Sequence, residues 1–414
     1  MPNTLFVGID VSSDSCEVAF VNGEGKQLGR SFSVSNDLDG AFKVGEMVCL
    51  SAEAQEVSGV RIGLESTSVY GWHLRDFLFD LDTLNKRYST LVYEINPSMV
   101  ASFKKSFSHK PKTDSLDAFA IAQRVRFGEL RPYSKTQMTT APLQQLTRLR
   151  LHLVQTLTAE QNRALSLLFL KFSSYKQANP FSNVFGKAST AVLDQFTSEE
   201  LAAFSVEDLA AFIVENGNNR LKDPGEAAKV IRSAAMRSYR LNPKMQDAVG
   251  VTLSLTLQNV EFLKSQVKKA DAVIARELEA FPQTLSTVPG LGPVLVAGII
   301  SEIGDIFRFK DHGALAQFSG LTWTNYQSGD FEAEEHSLTK TGNRYLRYYL
   351  VEAANSLRVH NEEYKRFYQR KYQEVPKHQH KRALVLTARK LVRLVFSMLR
   401  KGQIYRPEVM KQTV

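Results

Sequence analysis

The stretch Leu5-Phe6-Val7-Gly8-Ile9-Asp10-Val11-Ser12-Ser13-Asp14-Ser15-Cys16-Glu17-Val18-Ala19-Phe20 decides how the amino-terminal part of this chain folds. An apolar run ends on a carboxylate, turn chemistry follows from Val11 to Ser15, and Cys16 to Phe20 alternates with period two. That pattern predicts a β-hairpin over Thr4 to Phe20. Working outward, Asn22-Gly23 marks a tight turn and Gln27 to Phe32 reads as a third strand. A helical stretch near Ala41 to Leu50 comes next. The strand Val60-Arg61-Ile62-Gly63-Leu64-Glu65 then ends on a second carboxylate. A helix over Gly71 to Phe79 and a strand near Leu91 to Ile95 complete an α/β domain over about residues 1–135.

The rest of the chain reads as helical. Pro142 to Phe172 is a long amphipathic helix, with Leu143, Leu146, Leu149, Leu153, Leu157, Leu165 and Leu168 mostly at three- and four-residue spacing. Ser173 to Asn242 reads as a helical insert, broken at Asn179-Pro180, Asn216-Gly217-Asn218-Asn219 and Asp223-Pro224-Gly225. Lys244 to Phe281 is a second long helix, a coiled-coil-like antiparallel partner for the first, and Pro282 ends it. Residues 136–283 therefore form a long-helix middle region, with the insert at about 173–242, and residues 284–414 a mostly α carboxy-terminal domain. There Thr287-Val288-Pro289-Gly290-Leu291-Gly292-Pro293-Val294 predicts a helix-hairpin-helix turn. Gly290 and Gly292 let the backbone approach a phosphate, and the next helix offers its free N–H groups.

A chain of 414 residues with 43% hydrophobic and 23% charged residues excludes wholesale disorder, collagen and a coiled-coil rod. The net charge of +9 is uneven. His336 to Val414 holds 18 basic and 5 acidic residues, and Ala101 to Phe172 holds 12 and 4, so the remainder is net acidic. Two basic zones on an acidic body point to a polyanion such as nucleic acid. In the carboxy-terminal zone, Tyr345, Tyr348, Tyr349, Tyr364, Phe367, Tyr368 and Tyr372 interleave with basic residues. Such rings stack on unpaired bases or, at helical spacing, fill a core. Cys16 and Cys49 have no spacing for zinc or a disulfide framework. The amino terminus lacks a signal peptide and no apolar run spans a membrane, so a soluble, cytoplasmic protein is expected.

Asp10 and Glu65 end strands of one α/β unit, where such positions cluster at the carboxyl edge of the sheet. In Lys112-Thr113-Asp114-Ser115-Leu116-Asp117-Ala118 a helix would place Asp114 and Asp117 on one face. Taken singly, an Asp after a strand is a turn or cap residue, and two Asp three apart on a helix form a solvated face. Together, four converging carboxylates would repel one another unless a divalent cation neutralised them, and Mg²⁺ takes such oxygen ligands. Lys104, Lys105, Lys110 and Lys112 lie just ahead of the Asp pair, placed to hold phosphates. An actin-like sugar kinase also opens on a strand, an Asp and a serine-rich hairpin, but no second glycine-rich phosphate hairpin occurs downstream.

The order of motifs resembles the IS110 family of insertion-sequence transposases, also described as bridge-RNA-guided serine recombinases. GID at Gly8–Asp10, GLEST from Gly63 and KTDSLDA from Lys112 are similar to its RuvC-like, ribonuclease H-like DEDD domain. VPGLGP, the FSGLT segment from Phe318, the Ser328-Gly329 pair and KTGNRYLR from Lys340 are similar to its carboxy-terminal transposase domain. The resemblance covers about residues 4–135 and 284–360. It implies that Asp10, Glu65, Asp114 and Asp117 bind Mg²⁺ or Mn²⁺, and that Ser328 is the nucleophile, with Ser319 its nearest competitor. It also implies DNA as substrate, a structured noncoding guide RNA as partner, and a homo-oligomer; the carboxylates and the serine would have to meet within one chain or across subunits, and the resemblance favours the second. Lys340, Asn343, Arg344 and Arg347 join the amino-terminal lysines and the hairpin glycines as expected nucleic-acid contacts. One stretch departs from the pattern: Asp330, Glu332, Glu334 and Glu335 crowd acidic groups beside the expected nucleophile.

Two other functions use the same residues. A RuvC-like nuclease would employ water instead of the serine, and a non-catalytic nucleic-acid-binding protein would carry idle carboxylates. A serine route keeps the energy of the broken bond in a phosphoserine ester, which fits a chain without a P-loop.

Overall fold

A computed structural model describes residues 3–65, 69–105, 113–217, 221–323, 327–328, 331–332 and 338–407. Lys110, Lys112, Asp330, Glu334 and Glu335 lie outside them. The chain divides into two compact units, residues 1–141 with 304–310 and residues 142–303 with 311–414.

In the first unit the order is β1 (Thr4–Val11), β2 (Ser15–Val21), β3 (Phe32–Ser35), α1 (Leu38–Ala54), β4 (Gly59–Glu65), α2 (Trp72–Asp80), α3 (Asp82–Asn85), β5 (Ser89–Ile95), α4 (Pro97–Lys104) and α5 (Asp114–Phe127). The strands form one mixed sheet in the order β3-β2-β1-β4-β5. β2 is antiparallel to both β1 and β3, whereas β1, β4 and β5 run parallel. The period-two pattern explains the layers. Leu5, Val7 and Ile9 pack with Val44 and Val48 of α1 and Leu74 and Leu78 of α2. Phe6, with Val21 and Ile95, packs on the other face against Ile121, Ala122 and Val125 of α5.

The third strand lies later than the turn chemistry suggested. Asn22 Oδ1 accepts from the backbone N–H groups of Glu24 and Lys26, and Gly25 and Gly29 take positive φ. That loop leaves only an isolated Val21–Gln27 bridge before β3 begins at Phe32.

The second unit is helical: α6 (Lys135–Lys171), whose first seven residues belong to the first unit, then α7 (Tyr175–Ala178), α8 (Lys187–Gln195), α9 (Ser198–Ala203), α10 (Val206–Asn216), α11 (Pro224–Arg237), α12 (Pro243–Leu278), α13 (Pro293–Ile303), α14 (His312–Ser319), α15 (Arg344–His360), α16 (Glu362–Gln373) and α17 (Gln379–Lys401). Two short strands, β6 (Gln327–Ser328) and β7 (Phe331–Glu332), pair antiparallel between α14 and α15. An Arg150–Asp271 ion pair of 2.6 Å joins the two long helices. Further along, Leu168 of α6 and Phe172 just beyond it share a core with Leu253 and Leu257 of α12, so the helices run antiparallel. Val192, Leu209, Ile213 and Ile231 of the insert pack into that same core. No helix of the described residues is long and apolar enough to cross a membrane.

The first long helix starts seven residues before Pro142. Ser134 and Gln137 exchange bonds in the manner of a capping box: Ser134 Oγ accepts from Gln137 N–H, and Gln137 Oε1 accepts from Ser134 N–H. Pro142 sits inside the helix, and the Thr139 and Thr140 hydroxyls donate to the Lys135 and Thr136 carbonyls just ahead of it.

Candidate active site

The parallel register pairs Gly8 of β1 with Gly63 of β4. Both glycines face α5. A Cβ on Gly8 would fall onto the Ala118 carbonyl oxygen and the Ala122 amide nitrogen, and one on Gly63 onto Val125 Cγ2. Helix α5 therefore lies backbone on backbone at Gly8 and seats its Val125 and Ile121 side chains at Gly63, closer than a side chain on either strand position permits. Asp10 and Glu65 come two residues after these glycines, on the same face by strand periodicity, at the carboxyl ends of adjacent parallel strands.

The first turn of α5 carries the other two carboxylates. Thr113 caps it, its Oγ1 accepting from Leu116 N–H at 3.4 Å, and Asp114 and Asp117 fall in that turn. Because α5 touches β1 at Gly8 through Ala118, the neighbouring Asp117 is delivered to Asp10.

The electrostatics show the convergence. Asp10 is pushed from its ordinary 3.8 to about 6. Partial burial contributes most, followed by the negative charges of Asp117 and Glu65; Lys104 pulls the other way, and Asp114 adds a smaller upward push. Lys104, the last residue of α4, places its Nζ 2.6 Å from Asp117 Oδ1.

The donor set is chemically right for a hard divalent cation: all oxygen, partly buried, and short of positive charge. As the side chains stand, no group of three or more His, Cys, Asp or Glu among the described residues is gathered closely enough to hold an ion. The two observations are compatible, because charge is felt well beyond ligand distance and Asp117 is turned onto Lys104. Lys105 is exposed in the turn after α4.

The carboxy-terminal motifs build a different region, within the second unit. A single 3₁₀ turn, Leu285–Thr287, precedes the glycine turn. Gly290 takes φ +98°, and its carbonyl accepts from Ser356 Oγ at 2.6 Å. Gly292 has open space around it at the start of α13. Asn343 caps α15, its Oδ1 accepting from Tyr345 and Leu346 N–H, while its Nδ2 donates to Glu302 at 2.7 Å. Arg347 donates to the Ser319 and Lys340 carbonyls, tying two loops together. Lys340, at φ +52°, and Arg344 are exposed, the latter stacked on Tyr345. Ser319 is fully buried and donates to the Ala316 carbonyl. Ser328 pairs through its backbone with Phe331. Of the interleaved aromatics, Tyr349 and Tyr364 are core, whereas Tyr372 is exposed.

Sequence reasoning passed over Glu302. Its side chain is wholly buried, and Arg148 grips it with two bonds of 2.7 and 2.9 Å while stacking on Tyr345. Gln144 and Asn343 complete the cage, so α6, α13 and α15 meet on one carboxylate. The available signal was an acidic residue in the apolar run Val294 to Ile303.

Two family models match. One, described as a transposase of the DEDD IS110 type, covers residues 7–172; the other, described as a transposase of the IS116/IS110/IS902 family, covers residues 282–369. An uncharacterized 44.8 kDa protein of insertion element IS116 from Streptomyces clavuligerus is 25% identical over 73% of this chain and 74% of its own. An uncharacterized 43.6 kDa protein of insertion element IS110 from Streptomyces coelicolor is 30% identical over 34% of each chain. Among solved structures, T. thermophilus RuvC in complex with a Holliday junction substrate aligns over 31% of this chain and 99% of its own, at 13% identity and a TM-score of 0.24, too distant a likeness to bear on function. The two family models span more than half of the sequence and take in all four carboxylates and the serine, and the chain belongs to the IS110 family of transposases.

Proposed function

We propose that this chain is the recombinase of an insertion element, cutting and rejoining DNA through a serine ester under the direction of an element-encoded noncoding RNA. The observation that carries the reading is the approach of Asp117, from the first turn of α5, and Glu65, from the adjacent strand end, to a partly buried Asp10: burial first, then the charges of Asp117 and Glu65, lift that carboxyl to about 6. Such crowding stores repulsion that a divalent cation relieves. Asp10, Glu65, Asp114 and Asp117 are the residues that would hold Mg²⁺ or Mn²⁺, which when bound supplies charge neutralisation at the scissile phosphate.

The remaining steps belong to the chain's own groups. Ser328 Oγ attacks the scissile phosphorus, and its P–O bond forms as the P–O bond to the departing 3′ oxygen breaks. The serine proton leaves to solvent or a nearby base, and the departing oxygen is protonated to a 3′ hydroxyl. A 3′ hydroxyl of the second strand then displaces Ser328, restoring the phosphodiester and the serine hydroxyl with no ATP consumed. The lysines before α5, Gly290 and Gly292, and Lys340, Asn343, Arg344 and Arg347 are assigned to the nucleic acid, and the antiparallel long helices to the contact between copies of the chain.

The test is a covalent trap. Denaturing electrophoresis of the protein with labelled DNA and its RNA should show a shifted adduct that Ser328→Ala and EDTA both abolish, while Ser328→Ala keeps nucleic-acid binding. Cleaved DNA with free ends and no adduct would instead identify a nuclease that employs water, and salt-sensitive binding without cleavage would leave only a binding protein.

A further inference from the structure

Asp117 exerts the strongest charge effect on Asp10 and is itself bound to Lys104, with the Asp117 side chain 13% and the Lys104 side chain 30% exposed. Lys104 arrives on an ordered support. Asn96 Oδ1 accepts from Ser98 N–H at 2.9 Å and from its hydroxyl at 2.7 Å, Pro97 opens α4, and Val100 is buried. The ammonium thus reaches Asp117 from the end of α4, on a side chain that is partly exposed. One monovalent charge cannot balance four carboxylates, and it occupies an Asp117 oxygen in an ion pair.

We propose that Lys104 is the built-in counter-ion of the free protein: a divalent cation enters only as Asp117 exchanges the lysine for it, and the released ammonium then meets the incoming phosphodiester. This inference rests on the reading of the four carboxylates as metal ligands. It changes the role of Lys104 from a plain phosphate contact to a competitor for the ion. Two consequences follow from charge balance. Without nucleic acid, Lys104 weakens ion binding, because the ion must displace an ion pair and sit near a like charge. With nucleic acid, the phosphate receives the lysine and the penalty falls, so ion loading and substrate binding assist each other.

Mn²⁺ titration of the full chain, with free Mn²⁺ read by electron paramagnetic resonance, tests this without any turnover. In the absence of nucleic acid, Lys104→Met should bind Mn²⁺ roughly fivefold more tightly than the parent, about 1 kcal/mol at 1.4 kcal/mol per tenfold. Lys104→Arg, which keeps the charge, should bind no more tightly than the parent. A short DNA duplex should narrow the gap between Lys104→Met and the parent. Equal or weaker binding by Lys104→Met overturns the proposal. Asp10→Asn separates the two ways of failing. If it binds Mn²⁺ as the parent does, or if the parent binds none, the metal reading itself falls and the counter-ion with it. If it loses the ion while Lys104→Met matches the parent, only the role of Lys104 is wrong.

Discussion

Replacing Asp10 by Asn should stabilise the metal-free protein at neutral pH. The carboxyl titrates at about 6 in the folded chain against an ordinary 3.8. Between roughly pH 4 and pH 6 the native state therefore binds more protons than the unfolded chain, and stability falls as pH rises through that window. Above about pH 6 the whole penalty is present; below about pH 4 both states are protonated and it vanishes. Two units at 1.36 kcal/mol each set a ceiling of about 3 kcal/mol. Partial exposure screens the interaction, so about 1–2 kcal/mol is expected, a rise of a few degrees in the melting of a unit this size. Asparagine keeps the shape and removes the charge. Differential scanning calorimetry in EDTA, from pH 4 to pH 8, would compare the transition of the amino-terminal unit in both proteins. The difference should be near zero at pH 4, grow to pH 6 and then stay level. A variant that melts lower at pH 7, or a difference independent of pH, would refute the claim that burial, together with the neighbouring carboxylates, disfavours the charged form of Asp10.

Two substitutions probe what positions the site and what holds the second unit. Gly8→Ala drives a methyl into the Ala118 carbonyl, so α5 must retreat or β1 distort. A loss of about 1–3 kcal/mol or more is expected, together with weakened Mn²⁺ binding, measurable by denaturant unfolding and ion titration. Glu302→Gln leaves Arg148 with half of its buried partner, and a loss of about 3–5 kcal/mol should appear in the unfolding of the second unit. The double variant Arg148→Met, Glu302→Gln should recover part of it, because the half-buried guanidinium that has lost its carboxylate is removed as well.

Much of the amino-terminal architecture was legible because its signals are local. Period-two alternation marked β1 and β2, and β4 ends at Glu65 where its apolar run ends. The spacing of Asp114 and Asp117 needed only a helix start, which Thr113 provides. The convergence of these residues was not local. It depends on the Gly8–Gly63 register, and two glycines fifty-five residues apart announce nothing until the strands are paired. Pro142 misled by the opposite route: as a strong local signal it read as a helix start, while the quieter Ser134–Gln137 pair set the true one. Glu302 stayed hidden because a carboxylate in an apolar run is intelligible only once Arg148, from a helix about 150 residues earlier, is seen beside it.

The bare backbone beneath α5 also limits how this protein can vary. Where helices rest on side chains, neighbouring residues can trade volume and the spacing between elements drifts by fractions of an ångström. At Gly8, where a Cβ would meet only the backbone of Ala118 and Ala122, there is no such adjustable layer, so the distance between the end of β1 and the first turn of α5 is held to a mechanical tolerance that volume changes elsewhere do not touch. Variation in the catalytic rate should therefore arise from the side chains around that fixed frame, from α4 and the loops, rather than from the frame itself.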